Sequence, residues 1–315
     1  MILAHTLAGV PHDSNSVVTV GTFDGVHLAH QEIIREVVTR ARMKEGRSVV
    51  VTFAPHPKEV VGKSGSVVQL IATAEERSEI VRQLNVDVLF IINFTKDFSR
   101  LSAHEFYQEY IVRGVGVNEV VVGYDHMFGH NRAGGIEELV RMGQEFNFSV
   151  SAVHPFRVDG EVVSSTRVRD AITTGDVETA AKLLGRSFAF SGTIVHGDGR
   201  GKGLGYPTAN VAPESERKII PGLGVYLAGV TVKGRAWYGM MNIGVRPTVA
   251  QGGARSIEVH IFGLAEDIYN ERVTVTVLRK LRNEQRFGSL EELMHQLQKD
   301  KETSLQYIAE IEKRS

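Results

Sequence analysis

Val17-Val18-Thr19-Val20-Gly21-Thr22-Phe23-Asp24-Gly25-Val26-His27-Leu28-Ala29-His30-Gln31 runs from a short apolar strand, through a glycine turn, into a helix that opens with two histidines. Strand, tight turn and helix N-terminus together aim free backbone N–H groups and the positive end of the helix dipole at one point, which suits a polyphosphate. Gly21 and Gly25 permit a close backbone approach, Phe23 and Asp24 lie within the turn, and His27 and His30, one turn apart, add donors. Two other readings stay open at this point. Asp24, His27 and His30 could ligate a metal, or the histidines could be satisfied polar residues at a helix start.

Around this segment, apolar runs alternate with helical patterns, the signature of βαβ units and a parallel sheet. The expected strands are Val17 to Val20, Ser48 to Phe53, Val86 to Ile92, Glu119 to Gly123 and Phe148 to Val153. Capping boxes predict helix starts at Thr73 with Glu76 and at Ser102 with Glu105, and another helix is expected from Gly135 to Phe146. Ligands of such sheets bind at the carboxyl ends of the strands.

Three segments follow strand ends. Phe53-Ala54-Pro55-His56-Pro57 reads, alone, as a rigid strand exit. Gly123-Tyr124-Asp125-His126-Met127-Phe128-Gly129-His130, continuing to Arg132 and Gly135, is dense in glycine and polar groups, as binding loops are. Its His126 and His130 have zincin-like spacing, but Met127 stands where a glutamate would be required and Gly129 argues against a helix. Ser164-Ser165-Thr166-Arg167-Val168-Arg169 leads into a helix ending near Leu184-Gly185; the three hydroxyls are either caps or, with Arg169, phosphate ligands.

The first segment resembles the GxFDxxHxGH signature of adenylyl-transferring nucleotidyltransferases, departing from it at Ala29. Together with Phe53 to Pro57, Gly123-Tyr124-Asp125 with Phe128-Gly129, and Ser164 to Arg169, it resembles the FMN adenylyltransferase module of the prokaryotic bifunctional FAD synthetases. The resemblance implies that His27, His30 and Arg169 act in catalysis. It also implies that Gly21, Phe23, Asp24, Gly123, Asp125, Phe128, Gly129, Ser164, Ser165 and Thr166 line the nucleotide site. Ala29 replaces a usual glycine, and His126 a usual aromatic residue.

At 315 residues the chain has room for two domains, each with its own core. A formal net charge of -1 gives no reason to expect a nucleic-acid partner, and zero cysteines exclude disulfides, a zinc knuckle and a cysteine nucleophile. The N-terminal residues lack a basic, then apolar, leader, and no apolar stretch reaches the length of a membrane span, so a cytoplasmic location is expected.

From about Ser187 the pattern becomes β-rich, with strands expected at Phe188 to His196, Val225 to Val232, Ala236 to Ile243, Ser256 to Phe262 and Arg272 to Leu278. Short strands broken by turn signals suggest an antiparallel barrel. A closing helix starts at Ser289, capped with Glu292. Within this half, His196-Gly197-Asp198-Gly199-Arg200-Gly201-Lys202-Gly203-Leu204-Gly205-Tyr206-Pro207-Thr208-Ala209-Asn210 carries five alternate glycines, which fit a phosphate-cradling loop better than a sheet. Thr208 and Asn210 offer hard oxygens suited to magnesium. Glu258 and His260 alternate with Ile257, Val259 and Ile261; alternation alone makes Glu258 a solvent-face carboxylate.

This half is similar to the riboflavin kinase module, on Gly197 to Asn210, Pro221 to Tyr226, Asn242-Ile243-Gly244 with Pro247-Thr248, and Glu258 to Ile261. The similarity implies that Gly197, Gly201, Lys202, Gly203 and Gly205 bind nucleotide, that Thr208 and Asn210 hold Mg2+ and that Glu258 is the catalytic base. Lys202 stands where arginine is usual.

The expectation is therefore a Rossmann-like nucleotidyltransferase over residues 1–186, its parallel sheet covered by helices on both faces. An antiparallel β-barrel riboflavin kinase with a C-terminal helix follows over 187–315. The implied activity is phosphorylation of riboflavin by ATP to FMN, then adenylylation of FMN to FAD. Mg2+ is the implied cofactor and ATP the co-substrate, the partners are small molecules with no nucleic acid and no membrane, and a monomer is assumed. Two alternatives are a non-catalytic flavin-binding barrel and an RNA-linked nucleotidyltransferase.

Overall fold

Val17, Val18 and Val20 are buried, as a strand must be when helices cover both faces of its sheet. The computed structural model describes residues 1–62, 68–124, 135–197, 205–245 and 255–313, in two units, Met1–Ser165 and Thr166–Ser315.

In the first unit, β1 (Ile2–Ala4), β2 (Ser16–Val20), β3 (Arg47–Ala54), β4 (Val88–Asn93), β5 (Glu119–Gly123) and β6 (Ser149–Val153) form a parallel sheet in the order β1-β4-β3-β2-β5-β6. Alternate residues serve opposite faces. Val18, Val20, Val49, Val51, Phe90, Val120 and Val122 pack under Leu139 and Met142 of α5 (Ile136–Phe146) and under Tyr107, Ile111 and Val115. Val50, Leu89 and Ile91 meet Ile34 of α1 (Leu28–Met43) and Val81 of α3 (Ala74–Gln83), while Val17 and Val121 meet Val37 and Ala41 of α1. Helices thus cover both faces, as expected. Short α2 (Pro57–Val61) follows β3, and β7 (Arg157–Val158) pairs with β8 (Glu161–Val162).

Both capping boxes form. Thr73 and Glu76, and Ser102 and Glu105, exchange side-chain to backbone hydrogen bonds. The second opens only α4 (Ala103–Phe106); the chain then continues as a π-helix over Tyr107–Val115, closed by the Gly116 N–H donating to the Ile111 carbonyl. β1 was not expected, because three residues are too few to show a period. At the opposite end of the sheet from the turn, buried Glu119 is held by Arg40 at 2.7 Å, Lys44 at 2.9 Å and Ser151 at 2.7 Å. Burial alone would raise its pKa; these partners hold it lowered.

In the second unit, α6 (Ser165–Thr174, its first residue closing the first unit) and α7 (Val177–Leu184) replace the single helix expected there. Gly175 takes a φ of +80° and Asp176 accepts from the Thr179 N–H at 3.0 Å, so one helix ends and another is capped. Then β9 (Phe188–Val195), β10 (Ala209–Pro213), β11 (Gly224–Val232), β12 (Arg235–Val245), β13 (Arg255–Ile261) and β14 (Arg272–Arg282) close a barrel in the order β10-β13-β12-β11-β14-β9. Phe188, Phe190, Ile194, Val211, Met241, Ile257, Val259 and Val275 are buried in alternation along its strands. Tyr226 is fully buried, its hydroxyl donating to the Gly222 carbonyl at 2.5 Å, and burial pushes its pKa up to about 12. α8 (Leu290–Glu312) starts at Ser289, whose hydroxyl accepts from the Glu292 N–H, and is tied to β14 by the Arg282–Asp300 ion pair at 2.9 Å.

Candidate active sites

The strand order of the first unit reverses at β2, so the crevice between β2 and β5 is the topological switch point where open α/β sheets bind ligands. Gly21 leaves β2, and Gly123 closes β5, at that point. Between Gly21 and His27 the backbone turns through positive φ at Phe23 (+46°), Gly25 (+82°) and Val26 (+40°), which strains the two non-glycine residues. A β-branched residue such as Val26 rarely takes a positive φ, and such strain gathers at functional sites. A Cβ on Gly25 would lie 2.6 Å from Cγ2 of Ile71, so glycine is required there for space as well.

His27 caps α1: its Nδ1 accepts from the His30 N–H at 3.4 Å. Acceptance at Nδ1 places the proton of a neutral ring on Nε2, a fixed donor. The His30 ring stacks on that of His27 with centroids 3.6 Å apart, and Phe23 meets His30 edge-on at 5.2 Å. Burial, then the charges of His27 and Arg77, hold the pKa of His30 well below its ordinary value. His56 repeats the device after β3, its Nδ1 accepting from the Lys58 N–H at 3.1 Å as it caps α2.

Asp24 is almost completely buried, and its carboxylate accepts from the Ile71 and Ala72 N–H groups at 3.0 and 3.1 Å. Phe23 is equally buried, its ring within 3.0 Å of where a Cβ on Gly21 would stand. Ser165 joins this turn, donating to the Asp24 carbonyl at 3.1 Å. Ser164 immediately precedes α6, and Thr166 and Arg169 lie on that helix beyond the unit boundary. Asp125, His126, Phe128 and Gly129 lie outside the described residues.

Sequence reasoning passed over two features here. Arg77 is a buried guanidinium donating to the carbonyls of Thr22 and Phe53. Phe53, Phe94 and Phe98 form an aromatic cluster at the ends of β3 and β4, with centroids 5.3 to 6.0 Å apart. Their sequence separation hides them, although Phe94 directly follows a strand, a position worth inspection in any open sheet.

In the barrel, strand register gathers the second site. Asn210 on β10 stands opposite Glu258 on β13, which stands opposite Asn242 on β12. Directly opposed residues project on the same face, here the outer one, since their neighbours Val211, Val259 and Ile243 are buried inside. The Thr208 hydroxyl donates to Oε2 of Glu258 at 3.3 Å. A Cβ on Gly197 would collide with the Asn210 amide, so Gly197 leaves the space that Asn210 fills. Glu284 adds a second carboxylate: a Cβ on Gly244 would lie 2.5 Å from its Oε1 and 3.3 Å from Nδ2 of Asn242. Gly205 has a φ of +78°, while Gly201, Lys202 and Gly203 lie outside the described residues, as do Pro247 and Thr248.

The donors brought together here are a hydroxyl, an amide and a carboxylate, all hard oxygens that fit Mg2+. Among the described residues no three His, Cys, Asp or Glu side chains gather as a metal site, and Mg2+ often completes its shell with water and phosphate oxygens.

The FAD synthetase family model matches residues 10–167, over the switch-point turn, and the riboflavin kinase family model matches residues 184–308, over the barrel. The chain belongs to the bifunctional riboflavin kinase/FMN adenylyltransferase family. It is 36% identical over 95% of both chains to the protein of that description from Listeria monocytogenes. With its counterpart from Pseudomonas fluorescens it is 40% identical over 90% of both chains. A crystal structure from Streptococcus pneumoniae, described as a macrolide-efflux protein, superposes with a TM-score of 0.88 at 33% identity, covering 96% of this chain and 99% of that one. Among the described residues no helix is long and apolar enough to cross a membrane.

Proposed function

We infer that this chain carries both activities of its family, each in the unit whose residues match the corresponding model, with the working boundary near residue 187. The observation that carries the assignment of the kinase is the row Asn210–Glu258–Asn242 with Thr208 bonded to the carboxylate.

In the kinase unit, Glu258 accepts the proton of the ribityl 5′-hydroxyl as that oxygen attacks the γ-phosphorus of ATP. Thr208 and Asn210 are the residues that would hold Mg2+, which when bound offsets charge on the phosphate oxygens. Gly197, Gly201, Lys202, Gly203 and Gly205 are assigned to the ATP phosphates by the resemblance, and a glycine at every second position suits a phosphate cradle. The bond to the γ-phosphoryl forms at the ribityl oxygen and breaks at the ADP oxygen, giving FMN and ADP.

In the first unit, a phosphate oxygen of FMN attacks the α-phosphorus of a second ATP, pyrophosphate leaves and FAD forms. The attacking phosphate is already ionised near neutral pH, so positioning and charge stabilisation do most of the work. His27 donates from Nε2, and His30, Gly21, Gly123 and the hydroxyls of Ser164 and Ser165 face the phosphates within this unit. Phe23 and Asp24 act behind this surface, holding the turn in shape. The aromatic cluster of Phe53, Phe94 and Phe98 supplies an apolar wall for a flat ring system.

Both reactions consume ATP, and we place the enzyme in the cytoplasm, acting on riboflavin, FMN and ATP as a monomer without nucleic acid. The test of the division of labour is a pair of variants. His27→Ala should stop FAD formation while FMN accumulates, and Glu258→Ala should stop FMN formation yet still convert supplied FMN. A folded variant of either kind that loses both reactions would contradict it.

A further inference from the structure

Arg77 sits on α3, an element that carries none of the groups assigned to either reaction, yet its guanidinium is buried beneath the strand ends. Nη1 donates to the Thr22 carbonyl, and Nη2 donates to the Phe53 carbonyl at 2.9 Å. Thr22 is the second residue of the turn after β2, and Phe53 is the penultimate residue of β3. The Thr22 carbonyl also accepts from the Thr52 hydroxyl at 3.1 Å. Immediately beyond it come the positive φ values of Phe23 and Val26, so the backbone that presents His27 is held out of its relaxed conformation. Strain of this kind persists only where the surroundings over-determine the backbone. A rigid planar fork that fixes two carbonyls at once does so, and a lysine cannot.

We propose that Arg77 is a positioning residue for adenylyl transfer: it clamps the Thr22 and Phe53 carbonyls from beneath and so holds the strained turn that sets His27 and His30 at the phosphates. The proposal rests on the assignment of that turn to adenylyl transfer.

A second observation points the same way. Burying a guanidinium is costly, and Nε of Arg77 has no hydrogen-bond partner among the described residues, so packing alone would favour an apolar side chain. The carboxylates whose charges act on Arg77 are Asp24 and Glu75, and the charged or titratable groups that act on His30 are His27, which caps α1, and Arg77 from α3. The Arg77 charge therefore discourages protonation of His30, which lets the two imidazoles stay stacked.

The test compares full-length Arg77→Met, Arg77→Lys and His27→Ala. Three readouts are needed: FAD formation from FMN and ATP, riboflavin kinase rate on the same preparation, and NMR titration of the His30 ring. Arg77→Met should lower kcat for FAD formation by about ten-fold or more, as expected for losing hydrogen bonds from a charged donor, with the kinase rate unchanged and His30 titrating at higher pH. Arg77→Lys, which keeps the charge without the fork, should leave the His30 titration in place and recover part of the rate. A folded Arg77→Met that makes FAD at the wild-type rate while His27→Ala does not would overturn the proposal alone. Equal loss in both Arg77 variants with His30 titrating as in the wild type, or loss of cooperative melting in both, would reduce Arg77 to a folding residue and also overturn it. If His27→Ala makes FAD normally, the site assignment falls and the proposal with it.

Discussion

Glu258 and Asn210 stand directly opposite each other across the β10–β13 pair, and the Thr208 hydroxyl, two residues before Asn210, donates to the Glu258 carboxylate at 3.3 Å. A proton acceptor and two neutral oxygen donors thus share one outer face of the barrel. In a sheet, that neighbourhood is set by register, and a slip of one residue would turn Glu258 into the core.

Replacing Glu258 by glutamine keeps the side-chain volume and an oxygen for Thr208 but removes the proposed base. The kinase rate should fall by about a hundred- to ten-thousand-fold, the usual span for a lost general base, while adenylylation of supplied FMN continues. Initial rates of the two half-reactions, measured separately, check this.

Gly197→Ala puts a methyl group where the Asn210 amide lies. Asn210 must move, so the Mg2+ and ATP concentrations needed for half-maximal kinase rate should rise, with FAD formation from FMN unaffected. A magnesium titration at fixed riboflavin reads the effect directly.

The proposed catalytic role of His27 is separable from its capping role. Its Nδ1 caps α1, a role that asparagine can take over, whereas Nε2 has no equivalent in asparagine. His27→Asn should therefore melt near the wild type and yet lose FAD formation; His27→Ala should lose FAD formation and also about 1 kcal/mol of stability. Thermal melts set beside turnover would show the split.

His30 makes stability depend on pH. Burial first, then His27 and Arg77, hold its pKa well below the ordinary value, so the folded chain leaves it neutral where the unfolded chain binds a proton. Stability is complete above the unfolded pKa, near 6.5, and is lost as pH falls through it, by at most about 1.4 kcal/mol per pH unit for this one proton. Urea midpoints at pH 7.5 and 5.5 should fall further for the wild type than for His30→Asn. Equal falls would contradict this.

Much of this was legible in the chain because local chemistry and global fold agree. Glu119 to Gly123 was bounded correctly from its apolar run, and the capping boxes at Thr73 and Ser102 formed as written. What escaped was non-local. β10 lies within the segment that reads as a phosphate and metal loop, because five residues ending in a proline are too short to show alternation. Arg77 carries no motif: its partners Thr22 and Phe53 are brought to it only by the packing of α3 on the sheet. Asp24 and Phe23 belong to the recognised signature, yet their burial gives them a supporting place that a motif does not reveal. The register that sets Asn242 beside Glu258 likewise comes from strand pairing.

The most direct measurement is a chromatographic time course of riboflavin, FMN and FAD, with the purified chain, riboflavin, ATP and Mg2+. The account predicts that FMN appears first and FAD follows after a lag, both depending on the one polypeptide. No conversion of riboflavin, with supplied FMN also left untouched, would contradict it.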